Sequence, residues 1–144
     1  MMNRIRMLAV LIGLAVVAVP LMASAQCIEV TPGSWDYGDV KIGAGQSQIF
    51  TIENCVSSDL YIFLIDIIED DTGAFSIASA PTEPIIPGWE SRDVEVTFAP
   101  LSLGTHEAFL RIVSDAPEGE TFINLSGVGV RGWSCIRAKA APSP

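Results

Sequence analysis

The chain is poor in the groups on which most enzymes and nucleic-acid binders depend. His106 is the only histidine in 144 residues. A copper site in a β-sandwich needs at least two imidazoles with a thiolate, and a zinc site needs several nitrogen or sulfur ligands. Neither is expected here, and no cofactor is implied. A Ser-His-Asp relay would have to use His106, yet no Gly-x-Ser-x-Gly turn accompanies it. That histidine is expected on the surface of a strand. There is no Cys-x-x-Cys pair for redox chemistry, and Gly127-Val128-Gly129 lacks the third glycine and the βαβ setting of a dinucleotide site. It reads as a strand-ending turn. Bases are scarce too, with 8 Lys and Arg against 17 Asp and Glu, so nucleic acid and anionic lipid are disfavoured partners. Glu69-Asp70-Asp71, with Asp66 upstream, is the densest acidic cluster. Calcium loops alternate their ligands and these are adjacent, so the cluster reads as a solvated turn. No pair of acids stands out for glycoside hydrolysis. An enzyme is not expected.

Long hydrophobic runs are also few. Met7 to Val19 is an unbroken run of 13 residues with no charge, ending at Pro20; Arg4 and Arg6 precede it and Ala23-Ser24-Ala25 follows. A basic start, a short apolar run and small residues at a cleavage site make residues 1–25 a cleaved signal peptide by expectation. Spanning a bilayer takes about 20 apolar residues, so no stable membrane insertion is expected after cleavage. Removing the segment leaves six bases against 17 acids, a formal charge of −11. The product is expected to be secreted or periplasmic.

Beyond that segment no window repeats apolar residues at helical spacing over three turns. The period is two instead. Val94, Val96 and Phe98 alternate with Asp93, Glu95 and Thr97, and Leu110 and Ile112 alternate with Phe109, Arg111 and Val113. Strands are expected near 28–31 with a continuation at 35–40, then at 47–53, 60–68, 74–78, 90–98, 106–113 and 121–126. Leu60 to Ile68 is almost continuously apolar, but its four isoleucines are stiff at χ1 and favour a strand. About seven short strands with regular turns in ~100 residues predict an all-β, immunoglobulin-like antiparallel sandwich. The expected division is 1–25 signal peptide, 26–130 sandwich and 131–144 flexible tail.

Several motifs extend this reading: Val30-Thr31-Pro32, Trp35 to Val40 with Ile42-Gly43, Phe50 to Asn54, Ile86-Pro87-Gly88, Val96 to Pro100, Leu103-Gly104-Thr105 and Leu125 to Gly129. In this order and spacing the chain resembles the immunoglobulin-like domains of abnormal-spindle and Hydin proteins, over nearly all of residues 28–130. In bacteria the resemblance points to secreted choice-of-anchor D-like proteins. It implies a seven-stranded sandwich related to sperm-protein and pilus-chaperone domains, and no catalytic residues, since the motifs are packing and turn chemistry. Where the family usually reads Asn-Thr-Gly after the second strand, this chain has Asn54-Cys55-Val56, a departure at that turn.

Three cysteines follow the signal segment, and an oxidising compartment favours pairing. Of the three possible pairs, Cys27 with Cys55 is expected, because antiparallel neighbours bring the start of one strand to the end of the next. Cys135 is then left over, either as a free thiol or as a link between chains.

The resemblance places Leu60, Ile62, Ile65 and Ile67 in the core, which turns Tyr61 and Phe63 outward. The same alignment turns Phe109, Val113 and Phe122 outward on neighbouring strands of one sheet. These five form a candidate interaction face. An unknown protein partner or self-association would use it, the tail with Trp133 and Ile136 would cover it, or a different strand register would dissolve it. The expected function is a non-enzymatic module for protein interaction or a structural role at the cell envelope. The alternatives are a pilus-chaperone-like strand-binding factor and an envelope hydrolase built on acidic residues.

Overall fold

The computed structural model describes residues 25–132. The expected signal peptide, apart from Ala25, lies outside the described residues, as do Cys135, Trp133 and Ile136. Nine strands run in chain order: β1 Ile28–Thr31, β2 Ser34–Lys41, β3 Gln46–Asn54, β4 Leu60–Ile68, β5 Phe75–Ser79, β6 Ile85–Ile86, β7 Ser91–Phe98, β8 Gly104–Ser114 and β9 Glu120–Val130. They form a four-stranded sheet ordered β1-β3-β7-β5 and a five-stranded sheet ordered β2-β9-β8-β4-β6. The fold is an all-β, immunoglobulin-like sandwich.

Alternation along each strand builds the core. Val94, Val96 and Phe98 of β7 face Leu110, Ile112, Ile123 and Leu125 of β8 and β9, all nearly inaccessible to solvent. At roughly 25 cal/mol per Å² of apolar surface, each such side chain contributes about 1.5–3 kcal/mol before conformational entropy is charged against it. Tyr37 of β2 reaches across the sandwich and donates its hydroxyl to the Val96 carbonyl at 2.8 Å. Burial pushes that phenol well above its ordinary pKa, so it stays a neutral donor.

Every ladder is antiparallel except one, where β2 runs parallel to β9. The cause is the passage between sheets. β1 pairs with β3; the chain then crosses at Pro32-Gly33 without reversing direction, and its continuation runs beside β9 in the same direction.

Gly127-Val128-Gly129 lies inside β9 and is no turn. A Cβ on Gly127 would fall 2.4 Å from the Phe98 ring, and one on Gly129 would fall 2.0 Å from the Ser102 carbonyl oxygen. These glycines admit neighbours that any side chain would exclude.

Candidate interaction surface

The outer face of the five-stranded sheet is set by a bulge in β4. Ile62 lies opposite Ser114 and Leu64 opposite Val113, so Phe63 is the extra residue. The insertion shifts the alternation by one. Leu60 and Ile62 point inward before it, Ile65 and Ile67 pack against the core after it, and Phe63 and Leu64 both turn to solvent. The spacing 60, 62, 65, 67 that the family resemblance implied already required one extra residue. Leu64 was the outward side chain that this reading left unnamed.

Beyond the bulge the face is laid out in cross-strand rows. Leu64, Val113 and Glu120 form one, Asp66, Arg111 and Phe122 the next, and Ile68, Phe109 and Asn124 the third. Phe109 and Phe122 meet edge to face, with centroids 6.5 Å apart and planes at 87°. Phe63 is 67% exposed and Phe122 49%; Tyr61 is exposed at the start of β4, while Phe109 and Val113 are half-buried.

An ion pair occupies the middle row beside Phe122, between Phe109 and the Leu64–Val113 row. Arg111 donates from Nε and Nη2 to the two carboxylate oxygens of Asp66, at 2.9 and 2.6 Å. It also approaches Glu120 at 3.5 Å. The Arg111 hydrogen bond holds Asp66 below the usual carboxylate range. The Asp66 and Arg111 charges are matched within the face.

His106 is buried, at 4% exposure, contrary to the surface position expected for it. Leu110 and Ile112 set the inward parity of β8, and counting back by twos reaches His106. Its Nε2 faces the Ser102 carbonyl at 3.1 Å and donates to it; its Nδ1 lies 2.9 Å from the Thr72 hydroxyl, which also reaches Asp70 Oδ1 at 3.1 Å. An open cleft of about 590 Å³ lies beside it, lined also by Glu69, Glu107 and Asn124. Both imidazole nitrogens are already engaged, so the cleft has no free histidine base. Asp70 is committed likewise, accepting from the backbone N–H groups of Thr72, Ala74 and Phe75 at 3.3, 3.1 and 2.8 Å. That carboxylate closes a turn.

Asn54-Cys55-Val56 shows what the departure from the family motif does. Cys55 is bonded to Cys27. The buried Asn54 amide donates to the carbonyls of Ser58 and Ile86 at 2.7 and 2.9 Å, tying the turn to β6. The neighbouring loop carries a residue that sequence reasoning missed. Trp89 is 68% exposed and sits at φ +65°, a left-handed conformation that costs a side chain about 1–2 kcal/mol relative to glycine. Little burial is lost by removing it. Trp89→Gly is expected to raise stability by about 1 kcal/mol, seen as a thermal midpoint several degrees higher. A lower midpoint would show that the indole makes contacts worth more than the strain.

Residues 25–130 match the family model of Cep192 domain 4. The chain belongs to that family. Cep192 domain 4 supplies the abnormal-spindle type of domain to which the sequence motifs pointed. Among solved structures, the ASH / PapD-like domain of human CEP192 (PapD-like domain 7) is 15% identical, covers 83% of this chain and 96% of its own, and superposes with a TM-score of 0.62. The VesB protease of Vibrio cholerae is 16% identical over 73% of this chain, with a TM-score of 0.58, and the chain spans 32% of that protein. The class 5 fimbriae chaperone CfaA is 13% identical over 73% of this chain and 57% of its own, with a TM-score of 0.53. Likeness at such identities shows the fold alone. No curated protein matches the chain.

Proposed function

We propose that this member of the Cep192 domain 4 family is a secreted or periplasmic, non-enzymatic module that binds another protein at the cell envelope. The outer face of the five-stranded sheet is its contact surface. The observation that carries this reading is that face itself: Phe63, Leu64 and Phe122 lie open to solvent around a neutralised ion pair. An apolar surface of this kind on a chain of formal charge −11 after residue 25 is held soluble by its charge and is free to dock.

The remaining parts of the proposal rest on the sequence and the disulfide. Residues 1–25 act as a cleaved export signal, and residues 131–144 form a tail beyond the sandwich. The Cys27–Cys55 bond fits an oxidising compartment outside the cytosol, as in the choice-of-anchor D-like secreted proteins that the motifs resemble. Among the described residues no helix is long and apolar enough to cross a membrane. The hydrolase alternative loses support from the engagement of His106 and Asp70 in hydrogen bonds to their neighbours.

Replacing Phe63 and Phe109 with serine tests the reading. The double variant is expected to lose partner capture from the secreted fraction by about 30-fold or more, the range of an aromatic hot spot. Any self-association seen in sedimentation should fall with it. Unchanged capture together with unchanged sedimentation would remove the face from the function.

A further inference from the structure

The five-stranded sheet ends on an edge that is covered only at its beginning. β6 pairs with Leu60 and Tyr61 alone, and the Ile62 N–H donates to the Pro84 carbonyl at 2.7 Å. From Leu64 to Ile68, β4 pairs with β8 on one side, and among the described residues no strand lies on the other.

The register tells which backbone groups are left. Residues paired across an antiparallel ladder either exchange both hydrogen bonds or turn both groups away. The Ser114 N–H donates to the Gly119 carbonyl, on the β9 side of β8. Counting back by twos, Ile112 and Leu110 also face β9. Their partners across the ladder are Ile65 and Ile67, whose N–H and C=O groups therefore point out of the sheet at its free edge.

The other edges of the sandwich are less open to a new strand. β1 has four residues and is pinned at its start by the disulfide. β2 is interrupted between Asp36 and Asp39, with Gly38 at φ +64°, and β5 is interrupted between Ile77 and Ser79. Edge strands are normally guarded by proline or lysine. The run Leu64-Ile65-Asp66-Ile67-Ile68 has neither, and its one charge is matched by Arg111.

We propose that this edge of β4 accepts an extended segment of another polypeptide as an added strand, the segment being aliphatic with Lys or Arg toward its ends. The proposal rests on the protein-binding reading above and names its partner class. Strand addition takes affinity from the main chain and specificity from side-chain pockets. A groove of about 300 Å³ between Phe63-Leu64 and the Ala80–Pro84 segment offers one such pocket beside the free edge. Exposed acids flank the run: Glu83 lines the groove, and Glu69 and Asp71 follow the strand. They select basic residues on the incoming segment. Two copies of this chain paired edge to edge would bring those acids together, which disfavours self-pairing.

Amide hydrogen exchange on the full chain tests this with two synthetic ten-residue peptides, one alternating valine with lysine and one alternating valine with glutamate. The Ile65 and Ile67 amides are expected to exchange freely in the protein alone. The lysine peptide should slow them at least tenfold in a dose-dependent way, and the glutamate peptide should not. Leu64→Lys should weaken the protection about tenfold while the β8 and β9 amides stay protected, which shows the fold intact. Equal protection by both peptides, or by neither, overturns the proposal. Slow exchange without peptide also overturns it: a rise with protein concentration would mean self-pairing, and independence of concentration would mean cover by the chain's own residues 133–144. Phe122→Ser separates the two readings. Partner capture lost in that variant but kept in Leu64→Lys would leave the binding face standing and remove the added strand.

Discussion

Phe98→Ala is expected to cost about 3–5 kcal/mol of folding stability, the range for truncating a fully buried phenylalanine. The Phe98 ring has no solvent exposure and lies among Tyr37, Phe75 and His106, with centroids 5.5, 4.7 and 5.7 Å away. Below it is the bare backbone of Gly127, which has no side chain to relax into the space. The cavity should therefore persist, and the denaturant midpoint should fall with little change in slope. Gly127→Ala alone is also expected to destabilise, by about 1–3 kcal/mol, because its methyl group enters the ring. Combined with Phe98→Ala, the same methyl group enters the vacated space. The double variant should be more stable than the sum of the two losses predicts, with a coupling of at least about 1 kcal/mol. Strict additivity would mean that ring and glycine do not share the space that the structure assigns them.

The same pair shows where sequence reading worked and where it stopped. Alternation of Val94, Val96 and Phe98 with polar neighbours identified β7 and its inward face, because period two is a local property. Glycine in Gly127-Val128-Gly129 suggested a turn, since the reason for each glycine is a residue far away in the chain: the Phe98 ring and the Ser102 carbonyl. β6, of two residues, is too short to show any period. The parallel pairing of β2 with β9 depends on the chain changing sheets at Pro32-Gly33, which no local pattern encodes.

For the interaction face, the family motifs set the direction of Tyr61, Phe63, Phe109, Val113 and Phe122. The ion pair among them was hidden, because Asp66 and Arg111 are 45 residues apart and meet only through the β4–β8 register. The buried position of His106 was legible in principle from its parity with Leu110, yet a lone polar residue at a strand start invites a surface assignment. The strain at Trp89 is a backbone property; an exposed tryptophan after Pro87-Gly88 was its only signal. The free edge of β4 is likewise a statement about which strand fails to arrive.

Removing the disulfide with Cys27→Ser and Cys55→Ser together is expected to lower stability by about 3–4 kcal/mol, from the chain entropy released when a loop of 28 residues is opened. The bond lies just beyond the last pair of the β1–β3 ladder, Ile28 with Asn54, where the Cα atoms of the two cysteines are 5.2 Å apart. β1 is an edge strand of four residues with one neighbour in its sheet, so little else holds it in place. Two measurements separate the consequences. Chemical denaturation of the double-serine variant against the oxidised protein gives the global loss, and amide exchange along β1 gives the local one. Exchange at Glu29 and Thr31, whose N–H groups face β3 across the ladder, should accelerate more than exchange in β8 or β9, because the first strand can detach while the two sheets remain packed. A loss under about 1 kcal/mol, with β1 still protected, would mean that the ladder alone secures the strand. The full loss would instead make folding depend on oxidation, so that the chain reaches its stable form only where thiols are oxidised. This dependence agrees with the export signal proposed for residues 1–25 and links the first segment of the chain to the strand that follows it.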